Sequence, residues 1–215
     1  MSIKHLIDGN AAWVQASRVG SPDLFPSASA APSVLWLGCA DSPVAPAVIT
    51  SADPGVMLVH RNLGNQARPD DPSWMSALQY AVDELHVADV VICGHQGCDA
   101  CWAALEGAPG SMGEWLATVA GVGAERPKEL AGLPDDAARV QRLVEWNVRA
   151  QVLSVANTDT VRAAWSERRG PRIHGWLYTD RVGRICDLEM TVTSEATAAT
   201  LWAEGVSIDW MRAAG

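Results

Sequence analysis

Two short apolar runs, SVLWLG (residues 33–38) and DVVICG (residues 89–94), each end in a glycine that is followed at once by a metal-binding side chain. That side chain is Cys39 in the first and His95 in the second. Neither run alternates apolar with polar residues, so both read as strands buried on two faces, the signature of a parallel sheet covered by helices. A third run, residues 56–59 (VMLV), follows Asp53-Pro54-Gly55 and reads the same way.

Between the runs the apolar spacing changes to that of helices. Ile3, Leu6, Ile7, Trp13 and Val14 predict an amphipathic helix over 3–19. A Ser/Pro/Ala-rich loop follows over 20–33. Leu78, Val82 and Leu85 predict a helix over 73–86, with Ser73 as its cap. Further helices are expected over 98–106, 112–120, 135–156 and 158–168, the last stopped by Gly170-Pro171. Residues 173–178 and 184–190 read as final strands around the turn Asp180-Arg181-Val182-Gly183. The fold class is therefore α/β, with a mostly parallel central sheet flanked by helices. The 215 residues suffice for one domain. Residues 1–32 form an N-terminal helical arm and loop, 33–190 the α/β core, and 191–215 a C-terminal helix and tail.

Composition narrows the partners. A net charge of −9 is the wrong sign for a nucleic-acid surface, and no apolar run approaches the ~20 residues needed to span a bilayer. Five cysteines, an odd count with no secretion-like start, predict reduced thiols and a cytoplasmic location. Cys93 and Cys186 are expected to be buried and inert, and Cys101, one helical turn beyond Cys98, to pack in the core or serve as a spare ligand. His5, His86 and His174 are expected to be structural and without partners. Arg142, Glu145 and Arg149 are read as a solvated helix face.

In open α/β sheets, sites form beyond the carboxyl ends of strands where neighbouring connections diverge. If the strands ending at Cys39 and His95 are neighbours, Cys39, His95 and Cys98 converge on one crevice. Two thiolates and an imidazole suit Zn2+, which favours tetrahedral nitrogen and sulfur coordination. The fourth position would belong to water or to Asp41.

CADS (39–42), DPGVMLVHRNLGN (53–65), ALQYAVDEL (77–85) and VVICGHQGC (90–98) together resemble the β-class carbonic anhydrases. The likeness extends more loosely to IHGWLYTDRVGRICDLEM (173–190). It implies a zinc lyase hydrating carbon dioxide reversibly, with Cys39, His95 and Cys98 as metal ligands. Asp41 would be the nearby acid–base or gating carboxylate, and residues 60–62 a scaffold under the site. It also implies a small-molecule substrate and a homodimer or a higher assembly of dimers.

The chain departs from that family pattern at three places. Pro43 stands where an arginine normally pairs with the aspartate, and proline offers neither charge nor donor. Unpaired, Asp41 is expected either to swing onto the metal and close the open position or to stay free as a base that no neighbouring cation weakens. Asp99 replaces a glycine and would either set a negative side chain beside the substrate's path or point into solvent at the first turn of the Cys98 helix, where a carboxylate is favourable. Ala30-Ala31-Pro32 replaces a segment whose glutamine normally donates to bicarbonate. A unit charge ~8 Å away is worth roughly 2 kcal/mol at an effective dielectric near 20, so the changes predict weak or lost hydration of carbon dioxide. Arg61 and Arg68 are the candidates for a substitute cation. Two rival readings follow: a repurposed zinc enzyme acting on a neutral or cationic carbonyl, imine or thiocarbonyl compound, and a non-catalytic zinc-binding partner or sensor.

Overall fold

The computed structural model describes residues 3–20, 31–179 and 182–203. The strands are β1 (Val34–Cys39), β2 (Met57–Asn62), β3 (Asp89–His95), β4 (Arg172–Thr179) and β5 (Arg184–Val192), paired in the order β2-β1-β3-β4-β5. The first four are parallel and β5 returns antiparallel to β4. The helices are α1 (Ile3–Gly20), α2 (Pro46–Thr50), α3 (Pro72–Gln79), α4 (Asp99–Glu106), α5 (Gly110–Ala124), α6 (Pro127–Ala131), α7 (Asp136–Ala156), α8 (Asp159–Ser166) and α9 (Glu195–Ala203). The expected class, α/β with a mostly parallel sheet, is what the chain adopts. Asp180, Arg181, residues 21–30 and the tail beyond 203 lie outside the described residues, and with them much of the predicted turn and loop.

The apolar runs explain the sheet's depth. Leu35, Leu37, Val90 and Ile92 are fully buried among helices, while Trp36, Val91 and Cys93 fill a second cluster on the other face. Helix α7 crosses the first of these faces with Val144 and Val148. A Cβ at Gly94 would meet Val148 Cγ2 at 2.7 Å and Val144 Cγ1 at 2.8 Å, so glycine is what lets the helix lie this close to β3. That approach fixes His95, the next residue.

Several expectations are corrected. The strand at residues 56–59 is not buried on both faces: β2 is an edge strand, extends through Asn62, and leaves Val59 exposed. The cap of α3 is Asp71, whose carboxylate accepts from the Ser73 N–H at 3.0 Å, with Pro72 opening the helix. The single helix expected over 73–86 changes to a π-helical turn at Tyr80–Glu84. Cys186 is exposed rather than buried. On α7, only Arg142 of the three supposed surface residues is exposed; Glu145 and Arg149 are half-buried.

His174 does have partners. Its Nε2 lies 2.8 Å from Asp89 Oδ1 and its Nδ1 lies 3.1 Å from Thr191 Oγ1. Arg172 donates to both Asp89 oxygens, at 2.8 and 2.9 Å. The start of β3 is thereby pinned to β4 and β5. Burial opposes ionisation of Asp89, but Arg172 and His174 outweigh it and hold the carboxyl below its ordinary value. A depressed folded pKa means the contribution is present above the unfolded value, about 4, and is lost as pH falls through the folded one. Asp89→Asn should lower the melting temperature by about 5 °C at pH 7 and by steadily less toward pH 3. Calorimetry showing the same drop at both pH values would contradict this assignment.

Candidate active site

The site is built where β1 and β3 end side by side. Their register pairs Gly38 with Cys93, which brings Cys39 and the residues after Gly94 to one edge of the sheet. The chain leaves β1 toward β2 on one side while β3 lies on the other, so the crevice is a point of divergence of the kind ligands occupy. Cys98 follows β3 through a turn at Gly97 and is the N-cap of α4.

Cys39 Sγ, Cys98 Sγ, a nitrogen of His95 and a carboxylate oxygen of Asp41 all lie within 4.8 Å of one another. The two sulfurs are 3.7 Å apart and buried. His95 Nε2 is buried and has no hydrogen-bond partner; Asp41 Oδ2 is 3.5 Å from it, beyond a good hydrogen bond. Four potential donors thus face one another with a nitrogen lone pair uncommitted, the arrangement a tetrahedral cation resolves.

The electrostatics agree. The Cys39 thiol is pushed well above its ordinary range by the Cys98 sulfur and then by burial. The Cys98 thiol is pushed up by Cys101 and by burial, with Cys39 acting the other way. For His95, burial favours the neutral ring, but Cys39 and Asp41 outweigh it and raise the pKa. Crowding and burial thus oppose a pair of thiolates here, and a bound Zn2+ would supply the positive charge that offsets this.

Asp41 is oriented by backbone. Its Oδ2 accepts the Asp99 N–H at 2.8 Å, at the first turn of α4. The Asp99 side chain is exposed, in the helix turn where a carboxylate is electrostatically favoured. So it is the peptide of Asp99, not its carboxylate, that meets Asp41. The two candidate substitute cations are otherwise engaged. Arg61 donates to the Cys39 carbonyl from Nε at 3.0 Å and Nη2 at 2.7 Å, to Val44 O at 3.4 Å, and to Ser42 O. It braces the loop from behind. Arg68 pairs with Asp70 and lies over the Trp115 ring, 5.0 Å from its centroid. Neither bonds to Asp41 among the described contacts.

The remaining predicted residues are not among the four converging donors, although Cys101 contacts the Cys98 thiol. Cys101 is buried one turn into α4. Burial pushes Cys93 up to about 12, consistent with an inert thiol. His60 packs edge-on against Trp74, 5.6 Å between ring centroids, and burial lowers its pKa.

A model of the carbonic anhydrase family matches residues 34–185. The chain belongs to this family. It is 36% identical over 188 residues to a carbonic anhydrase of Emericella nidulans, covering 86% of this chain and 82% of that one. The Coccomyxa beta-carbonic anhydrase, solved in complex with acetazolamide, superposes with a TM-score of 0.86 at 33% identity, over 93% of this chain and 91% of that one. A tetrameric beta-carbonic anhydrase of the ascomycete Sordaria macrospora gives 0.84 at 32% identity, over 88% and 98%. The chain is thus a β-class carbonic anhydrase homologue, a lyase by family, and zinc is its cofactor: the donor set fits that ion. No helix among the described residues is long and apolar enough to cross a membrane.

Sequence reasoning missed the groups that hold the site's floor. Gly64 donates its N–H to Cys39 Sγ at 3.2 Å. Asn147, Gln151 and Ser154, all buried, reach the same loop from α7. The signal was available: three polar residues spaced i, i+4 and i+7 in a helix whose remaining inward residues are apolar.

Proposed function

We propose that this chain hydrates carbon dioxide reversibly with a zinc ion held by Cys39, His95 and Cys98, and that it does so slowly because Asp41 takes the fourth position. The observation that carries this reading is the convergence of the four donors at the paired ends of β1 and β3. When bound, zinc supplies the Lewis acidity that makes water nucleophilic near neutral pH. The protein's own part is then positional. The N-cap of α4 presents Cys98, the close approach of α7 to β3 fixes His95, and Arg61 braces the carbonyls of the loop that carries Asp41.

Asp41 is turned inward by the Asp99 N–H and has no guanidinium to draw it aside. With zinc bound, its carboxylate would compete with water for the ion. Bicarbonate, an anion, also meets a site edge carrying Asp41 and Asp99, while the Arg61 charge is fastened to carbonyls behind the loop. The test is stopped-flow hydration of carbon dioxide by zinc-loaded protein at neutral pH. A loss of about 2 kcal/mol corresponds to turnover roughly 30-fold below that of a relative with the arginine. Turnover equal to such a relative's would overturn the reading of Pro43.

A homodimer, alone or within a larger assembly, fits the exposed surfaces. Helix α1 is 18 residues long and exposes Ile3, Leu6 and Ile7, although a helix with so little packing is marginal in water. Edge strand β2 leaves one side of its backbone unpaired and Val59 in the open. Sedimentation equilibrium should give at least twice the chain mass, and removal of residues 1–20 should weaken association. A full-length monomer at micromolar concentration would exclude the dimer.

A further inference from the structure

We infer that Asn147 and Trp115 are positioning residues for the Cys39 sulfur, acting through the backbone of Leu63, Gly64 and Asn65. The inference rests on the reading of Cys39 as a zinc ligand and goes beyond it: it assigns what holds that ligand's sulfur in place and what damps its charge.

The loop after β2 is turned by Gly64, whose φ is +79°, in the left-handed region. A Cβ there would also meet Val119 Cγ2 at 3.2 Å. The turn aims the Gly64 N–H at Cys39 Sγ, 3.2 Å away. That N–H belongs to the peptide whose carbonyl is Leu63 O. In a trans peptide the two groups point in opposite directions, so whatever grips the oxygen aims the hydrogen. Trp115 Nε1 donates to Leu63 O at 2.8 Å and Gln66 Nε2 donates to it at 3.1 Å. Two donors on the carbonyl also polarise the peptide and strengthen its N–H as a donor to sulfur.

The next peptide is gripped from the opposite side. Asn147 Nδ2 donates to Gly64 O at 2.8 Å. The orientation of Asn147 is not arbitrary. Ala67 N–H needs an acceptor and finds Gln151 Oε1 at 2.8 Å, which turns Gln151 Nε2 toward Asn147 Oδ1 at 2.9 Å. Only Asn147 Nδ2 is then left to face the Gly64 carbonyl. Ser154 Oγ closes the set by donating to Ala67 O at 2.5 Å. Asn147 and Gln151 are fully buried, and each side-chain polar group of the pair has a partner in this chain of bonds. A fully satisfied buried polar chain holds one conformation, because any slip leaves a donor or acceptor unpaired. Here that conformation ends on a metal-ligand atom. Groups that orient ligands in this way commonly affect metal affinity 10–100-fold.

The direct test uses the intact protein loaded with cadmium-113. If Cys39 is a ligand, its Cβ protons correlate with the metal. If the inference is right, the Gly64 amide proton correlates with it too, through the hydrogen bond to sulfur. A Cys39 correlation without one from Gly64 overturns this inference alone; no correlation from either overturns the ligand assignment on which it stands.

Two variants read the consequence. Asn147→Ala should loosen zinc about 10–100-fold in chelator competition and move the thiolate-to-metal charge-transfer band of the cobalt-loaded protein to lower energy. Trp115→Phe removes a single donor from a half-buried ring and should move the band in the same direction by less. Val161→Ala, a cavity in α8 remote from the loop, should lower thermal stability and leave the band in place. If Asn147→Ala and Trp115→Phe lose stability with zinc affinity and band unchanged, the residues are merely structural and the inference fails.

Discussion

Exchanging Cys98 for serine should strip the protein of its metal. Structural zinc sites bind with roughly 10–16 kcal/mol in total, so one of four ligands accounts for about 2.5–4 kcal/mol when that total is shared evenly. At 1.4 kcal/mol per decade this is an affinity loss on the order of 10²–10³-fold. A serine hydroxyl at the N-cap of α4 keeps the helix start, since serine is itself a favoured cap, so the loss would report on the ligand and not on folding. Elemental analysis after dialysis against a chelator should find about one zinc per chain in the parent and almost none in Cys98→Ser. Cys101→Ser is the control. That thiol is equally buried and contacts Cys98, but it is not among the four converging donors, so its loss should weaken zinc far less. Equal zinc loss in both variants would mean that the sulfur assignment is wrong.

Restoring a cation at position 43 should raise turnover. Pro43 is exposed, so an arginine side chain has room to leave the loop. From there it can compete with the Asp99 N–H for the Asp41 carboxylate, and a charge-assisted bidentate pair is stronger than a single backbone hydrogen bond. Drawing Asp41 aside frees the fourth position and places a positive charge where bicarbonate forms. An interaction of about 2 kcal/mol corresponds to a gain in kcat/KM of roughly 30-fold. Pro43→Arg should therefore hydrate carbon dioxide at least an order of magnitude faster than the parent, with zinc content unchanged. Pro43→Ala separates the charge from the release of the proline ring and should gain little. An arginine variant no faster than the parent, at full zinc occupancy, would show that the missing cation does not limit the reaction.

The two halves of the site differed in how plainly the sequence announced them. Cys39 and His95 were visible because each sits at the end of an apolar run, with Asp41 and Cys98 two and three residues on, and the pattern that makes a buried parallel strand also fixes where its carboxyl end falls. The pairing of β1 with β3 then brings Cys39, His95 and Cys98 together. What stayed hidden is backbone. Asp99 drew notice for its side chain, yet its peptide N–H is what holds Asp41. Arg61 was weighed as a substitute cation, yet it is fastened to three carbonyls. The Asn147–Gln151 pair contacts Gly64 and Ala67 from 83 and 84 residues away, and nothing local in either segment names the other. His174 was read as partnerless for the same reason: Asp89 lies 85 residues before it. Cys186 was misjudged because β5 closes the sheet and is exposed along most of its length. Edge and centre strands look alike until the strand order is known.

The most direct measurement is a crystal structure of the zinc-loaded protein at neutral pH, with the metal located from its anomalous signal. It should show one peak per chain bonded to Cys39 Sγ, His95 Nε2 and Cys98 Sγ, with an Asp41 carboxylate oxygen as the fourth ligand. A peak anywhere else, or one at this position whose fourth ligand is water while Asp41 points away, would contradict the account.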